Sequence, residues 1–245
     1  MSFRNTQDLE SIKEILLQSK YAVFFGGAGV STDSGIPDFR GNGGLYEEDE
    51  DANAYYLSKA CLKQNPESFY EFFRKNMLFR DAMPNDTHRA LADLEKRGII
   101  KAVLTQNVDG LHQAAGSQQV IELHGSAARY YCTRCGKLYD RQILETQNNV
   151  PCCTQCGSVV RPDVTLYGEH LDGFNYAEAV NAVSQADVLL VGGSSLVVHP
   201  AASLLNLYRG EHLIIINYSP TPYDGLAEFV LRESLSDVFN YLAEA

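Results

Sequence analysis

The stretch Ile99-Ile100-Lys101-Ala102-Val103-Leu104-Thr105-Gln106-Asn107-Val108-Asp109-Gly110 reads as a buried strand that runs out into amides, a hydroxyl and a carboxylate. The same arrangement recurs on both sides of it. Tyr21–Phe25 leads into Gly26-Gly27-Ala28-Gly29, Val120-Ile121 into Glu122-Leu123-His124-Gly125, Val188–Val191 into Gly192-Gly193-Ser194-Ser195, and Leu213–Ile216 into Asn217. Open parallel sheets bind ligands just outside the carboxyl ends of their strands, at the point where strand order reverses. Converging strand ends of this kind predict one large polar ligand site.

Helical patterns lie between these strands. Leu9, Ile12, Ile15 and Leu16 recur at helical spacing ahead of the first strand. Asp86-Thr87 is expected to cap a helix carrying Ala90, Leu91 and Leu94 that stops at Gly98. Further helices fit Phe174–Ser184, Pro200–Tyr208 and Ser236–Leu242. The alternation predicts an α/β fold with a Rossmann-like, doubly wound parallel sheet. Two segments break the rhythm. Residues 42–86 are polar and aromatic, with a helix expected over Pro66–Leu78, and residues 126–160 hold most of the cysteines. Together they predict a small inserted helical and zinc-ribbon domain over the cleft. The main domain would then comprise residues 1–41, 87–125 and 161–245.

The chain has 245 residues, 45% of them hydrophobic, enough for a sizeable core without disulfides. Its formal net charge of -11 argues against a broad phosphate-binding face, so no direct nucleic-acid partner is expected. No apolar run approaches the roughly 20 residues that span a bilayer. Met1–Asp8 lacks the apolar core of a signal peptide, so a cytoplasmic location without membrane attachment is expected, with a monomer favoured.

Cys132-Thr133-Arg134-Cys135 and Cys153-Thr154-Gln155-Cys156 are two C-x₂-C knuckles separated by 17 residues. Paired thiolates at this spacing close a tetrahedral zinc site. Four thiolates leave no open coordination position, so one zinc held by Cys132, Cys135, Cys153 and Cys156 would be structural. Cys152 is read as a spare thiol, and Cys61 as a small buried apolar residue.

Gly26-Gly27-Ala28-Gly29-Val30-Ser31-Thr32 follows the first strand, where glycines let backbone N–H groups approach a pyrophosphate beside a helix N-terminus. It is not a standard G-x-G-x-x-G, since Thr32 replaces the last glycine, and it lacks the P-loop lysine. Read with Gly35-Ile36-Pro37-Asp38-Phe39-Arg40-Gly41, the set GAGVST, GIPDFRG, TQNVDGLH, ELHG, the two knuckles, RPDVTLYGE and GGSSLVVHPA resembles the sirtuin (Sir2-type) family of NAD-dependent protein deacetylases, in a bacterial, class-U/class-I-like form. The motifs run in the family's order from about residue 20 to 220.

The resemblance implies an NAD-dependent protein lysine deacetylase acting on acetyl-lysine proteins or peptides. Ala28, Thr32 and Arg40 would contact the NAD phosphates and ribose, and Phe39 would cover the nicotinamide ribose. Gln106 and Asn107 would hold ribose hydroxyls and amides near the reactive carbon, with Asn107 counted among the catalytic residues. Val108 and Asp109 would line the nicotinamide pocket. Ser194, Ser195 and Asn217 would bind the adenosine half, with Glu233 or Ser234 near adenine. His124 would be the general base, an imidazole at a strand end that titrates near neutral pH. His88, His112, His170 and His212 read instead as satisfied core or surface residues, and His199 receives no catalytic role. Val164, Tyr167, Gly168, Glu169 and Val197 would bind the substrate, the peptide adding as a β-strand.

In the implied reaction the amide oxygen of acetyl-lysine attacks C1′ of the nicotinamide ribose and releases nicotinamide. His124 then takes a proton from a ribose hydroxyl, and water completes the reaction to O-acetyl-ADP-ribose and free lysine. Members preferring acidic acyl groups carry a Tyr-x-x-Arg pair, against Phe73-Arg74-Lys75-Asn76 here, which disfavours succinyl-lysine. The rival readings are mono-ADP-ribosyl transfer, a non-catalytic NAD- or acyl-lysine-binding module, and a hydride-transfer dehydrogenase. The last is weakened because no acidic residue stands out about 20 residues beyond the glycine turn.

Overall fold

The structure, a computed structural model, describes residues 6–38, 44 and 50–244. Its strands among these residues are β1 (Ala22–Gly26), β2 (Ile100–Thr105), β3 (Val120–Glu122), β4 (Gly125–Cys132), β5 (Leu138–Asp140), β6 (Val160–Val164), β7 (Val188–Gly192), β8 (His212–Ile216) and β9 (Phe229–Leu231). The helices are α1 (Thr6–Gln18), α2 (Glu50–Tyr56), α3 (Lys59–Gln64), α4 (Pro66–Asn76), α5 (Asp86–Lys96), α6 (Leu111–Ala115), α7 (Gln142–Thr146), α8 (Gly173–Gln185) and α9 (Leu235–Ala243). None of the described helices is long and apolar enough to cross a membrane.

Six strands form one sheet in the order β3-β2-β1-β7-β8-β9, with every neighbouring pair parallel. The chain builds outward from β1 in one direction and from β7 in the other. The switch point therefore falls between β1 and β7. Both of these strands are buried along their whole length, as helices on both faces require. Alternate residues serve opposite faces. Phe24, Leu190 and Ile214 pack with Leu9, Leu91 and Phe239 of α1, α5 and α9. Val23, Phe25, Leu189 and Ile215 pack with Ala179 and Val183 of α8 and with Leu204.

A second core gathers Cys61, Phe69, Tyr70 and Phe73 from α3 and α4 with Tyr130, Cys132, Val160 and Val164. Its antiparallel sheet runs β5-β4-β6. The expected boundary at residues 160/161 cuts through β6, because Val160–Val164 pairs with β4 rather than with the large sheet. Three further expectations shift. The α5 cap is Asn85, not Asp86-Thr87: its side chain accepts from His88 N while His88 Nδ1 accepts from Asn85 N. The expected helix Pro200–Tyr208 is a 3₁₀ helix over Ala201–Leu207. β9 completes the large sheet beyond the strands expected from the sequence.

Candidate active site at the switch point

A cavity of about 610 Å³ opens at the carboxyl ends of β1, β2 and β7, within the size of ordinary ligand pockets. Its floor exists because three glycines interlock. A Cβ on Gly27 would stand 2.8 Å from Gly193 O, one on Gly29 2.8 Å from Gly193 Cα, and one on Gly193 2.5 Å from Val30 N. Gly193 also has φ +58°, in the left-handed region that glycine tolerates. The phosphate helix expected after the first glycines does not form. Ala28–Val30 and Thr32–Ser34 make two successive 3₁₀ turns instead.

Ala28, Thr32, Gln106, Asn107, Val108, Asp109, His124, Ser194, Ser195 and Asn217 all line this cavity, as do Val164, Tyr167, Gly168 and Glu169. Phe39 and Arg40 lie outside the described residues. Val197 is exposed and does not line the cavity, whereas its neighbour Val198 does. Glu233 and Ser234 line it too, with Ser234 capping α9 by accepting from Asp237 N.

Strand β2 ends in a hydrogen-bonded relay. Asn107 Nδ2 donates to Ser31 Oγ at 3.1 Å, and Ser31 Oγ donates to Asp109 Oδ2 at 2.7 Å. Asp109 Oδ1 accepts from Leu111 N at the start of α6. Gln106 Nε2 donates to Ser194 Oγ at 2.9 Å, tying β2 to β7 across β1. Ser31 was not singled out from the sequence. It sits inside a glycine-rich motif, and only folding brings its hydroxyl between the Asn107 amide and the Asp109 carboxylate.

His124 occupies the turn between β3 and β4. Its Nδ1 lies 2.9 Å from Gln106 O. A carbonyl only accepts, so Nδ1 carries the proton and Nε2 keeps its lone pair. Burial lowers the imidazole pKa, and the Gln106 carbonyl partly opposes this. The ring is therefore a neutral base with one free nitrogen. His199 also lines the cavity, with Nδ1 2.7 Å from Ser203 Oγ.

Along the expected peptide edge, Thr165 N donates to His124 O, Leu166 N to Glu169 Oε2 and Tyr167 N to Leu57 O. These three amides are engaged within the chain. The Glu169 carboxylate takes Arg161 at 2.6 and 2.8 Å, a two-pronged pair that fixes this loop. Phe73 and Asn76 line the cavity, whereas Arg74 spends its guanidinium on the carbonyls of Leu144, Gln147 and Asn149.

The four knuckle thiols lie within 4.8 Å of one another. Cys132 and Cys156 are 3.4 Å apart and Cys135 and Cys153 3.6 Å, too far for a disulfide. Zn–S bonds of about 2.3 Å in a tetrahedron set sulfurs about 3.8 Å apart, so the donor set fits a zinc ion. Tyr139 OH donates to Cys153 Sγ at 3.1 Å, an outer-shell support. Cys152 is not one of the four, and its backbone is held by the Gln147 side chain. Cys61 is fully buried. His88 and His112 are buried as expected but not satisfied: His88 Nε2 and both His112 nitrogens lack a partner among the described residues.

Residues 27–200 match the model of the Sir2 family. The chain belongs to the Sir2 family. It is 47% identical to the "NAD-dependent protein deacetylase" of Clostridium acetobutylicum over 94% of this chain and 96% of that protein. It is similar to the solved structure "Sir2-p53 peptide-NAD+", with TM-score 0.87 and 38% identity over 96% of this chain and 97% of that one. A Sir2 complex with an inhibitor, 2'-O-acetyl-ADP-ribose and deacetylated p53 peptide matches with TM-score 0.86, 38% identity and the same coverage. The fold of this Sir2 chain thus has close solved counterparts.

Proposed function

We propose that this Sir2-family chain is an NAD-dependent protein lysine deacetylase that moves the acetyl group to ADP-ribose, releasing nicotinamide, O-acetyl-ADP-ribose and free lysine. The observation that carries the assignment of the base is the His124 ring, held through Nδ1 on Gln106 O with Nε2 left to act, in a cavity shared with Asn107 and Asp109. A pure binding module would need no such base.

When bound, NAD supplies an electrophilic ribose carbon that parts from nicotinamide and receives the acyl oxygen. Ala28, Thr32, Ser194, Ser195 and Asn217 would hold its phosphates and adenosine half, with Arg40 assigned to phosphate and Phe39 to the nicotinamide ribose from the motif alone. Asp109 accepts from the carboxamide, Val108 walls the nicotinamide pocket, and Gln106 and Asn107 fix the ribose. Ser31 holds the Asn107 amide in place through its bond to Asp109. His124 Nε2 takes the proton of a ribose hydroxyl, a task for which a neutral imidazole is suited. Val164 and Tyr167 line the acyl-lysine channel, and the backbone of Gly168, Glu169 and Val197 takes the peptide. Zinc held by the four cysteines steadies the second core and takes no part in the chemistry.

We further propose that the protein acts as a monomer, in the cytoplasm, on acetylated proteins. Gel filtration and cell fractionation check that setting. Phe73 and Asn76 offer the cavity neither a phenol nor a guanidinium, and Arg74 is turned away. Acetyl-lysine peptides should therefore outcompete succinyl-lysine peptides at equal concentration, and the reverse order would overturn this preference. The decisive experiment measures nicotinamide release with and without an acetylated peptide. Peptide-dependent release with O-acetyl-ADP-ribose by mass supports the reading; release with modified protein instead would point to ADP-ribosyl transfer.

A further inference from the structure

His124 stands on a two-residue turn, Leu123-His124, that carries the chain from the six-stranded sheet into the three-stranded one. Backbone bonds hold it from both sides: Leu123 N donates to Thr105 O and Thr165 N to His124 O, each at 2.9 Å. A further tie spans the turn from outside. Arg129, on β4, sends Nη1 to Glu122 Oε2 at 2.8 Å and Nε to Asp163 Oδ2 at 2.9 Å. Glu122 ends β3 immediately before the turn, and Asp163 on β6 pairs with Ser126 just after it. One planar guanidinium thus joins the two sheets across the segment that carries the base.

Local structure explains why the side chain reaches that far. The β4–β6 register slips between Ser126 and Tyr130, and such irregularities re-aim side chains. At the other end the Glu122 carboxylate is buried, its second oxygen accepting from Gln113 Nε2 at 2.9 Å. Asn175 Nδ2 holds the Glu122 carbonyl. Without the guanidinium this carboxylate would keep one neutral donor, and the end of β3 would be free to relax. Lysine cannot replace the tie, because a point charge does not present two donors in fixed directions.

We propose that Arg129 is a positioning residue for His124, setting the imidazole against the substrate by clasping the turn between Glu122 and Asp163. It does not line the cavity and touches no reacting atom. The proposal rests on the function given above.

The test compares Arg129→Gln, Arg129→Lys and the double variant Glu122→Gln/Arg129→Gln with the parent chain. Arg129→Gln should lower kcat about three- to tenfold with the KM for NAD and for peptide within about twofold, the pattern of a displaced catalytic group. Arg129→Lys should not restore the rate, and the double variant should be no worse than Arg129→Gln alone. An unchanged kcat, a loss confined to KM, or full rescue by lysine would overturn the proposal. A second readout does not depend on turnover. In histidine-labelled protein the His124 ring resonance should shift or broaden in Arg129→Gln while those of His88 and His112 stay in place. An unmoved His124 resonance overturns the proposal even where the parent chain shows no peptide-dependent nicotinamide release, a result that would instead remove the functional reading.

Discussion

Gly193 and Gly136 both turn the chain at positive φ, +58° and +70°, in regions held by different forces. At Gly193, backbone meets backbone so closely that an added Cβ would stand 2.5 Å from Val30 N. At Gly136 nothing lies within 4 Å of that position, and the turn only wraps the chain around a thiol. The cleft inherits its rigidity from a sheet buried on both faces. The knuckles sit at the smaller second core and draw their order also from four sulfurs that converge on one point. A ligand floor built from a packed sheet is set before the ligand arrives, whereas the metal-binding region depends on what it binds.

The first way to probe that comparison is to remove the chemistry and leave both regions intact. His124→Ala should cut deacetylation about 10²–10⁴-fold, the usual worth of a general base, with the melting temperature close to the parent's. Calorimetry with nicotinamide-release assays reads both, and full activity in the purified variant would remove the assignment. Next, stripping zinc with a chelator should separate the regions. Amides of β4, β5 and β6 should lose hydrogen-exchange protection while those of β1, β7 and β8 keep theirs. Uniform loss across both sheets would show that the contrast is false.

A paired substitution sharpens the same contrast. Gly136→Ala should cost about 1 kcal/mol, for backbone conformation alone. Gly193→Ala adds about 1–3 kcal/mol of overpacking and should weaken NAD binding as well. Urea melts showing equal costs would contradict the close-packed floor.

The smallest expected effect concerns His88 and His112 beneath the cleft. Burial pushes their pKa values down from 6.5 to about 4 and about 3. Below pH 6.5 the unfolded chain takes up protons that the folded one refuses, so the stability from keeping both rings neutral is full above pH 6.5. It declines as pH falls toward about 4, by at most about 1.4 kcal/mol per ring per pH unit. His124, also lowered by burial, adds to the same slope. Stability that stays flat between pH 6.5 and 5 would mean that these rings are hydrated rather than sealed.

The fold was largely legible because runs such as Val188–Val191 and Leu213–Ile216 are too apolar to be anything but buried strand. The knuckles were legible because thiols at that spacing have few other uses. What escaped the sequence depended on distant partners. Asn85 took the cap from Asp86-Thr87 because His88 reaches back to its N–H. Ser31 gained its place only when β1 and β2 came side by side. The local bonding of the expected peptide edge escaped too, because nothing in Thr165-Leu166-Tyr167 announces that His124, Glu169 and Leu57 will take their amides.

The order of strand, turn and polar strand end, the four thiols and the residue types able to bind a dinucleotide and move a proton were all set by the sequence alone, because they depend on local spacing and side-chain chemistry. Which nitrogen of His124 is free, which way Arg74 points and what Arg129 joins were decided only by tertiary structure. Those facts turn on carbonyls and carboxylates that lie far away along the chain and become neighbours through packing.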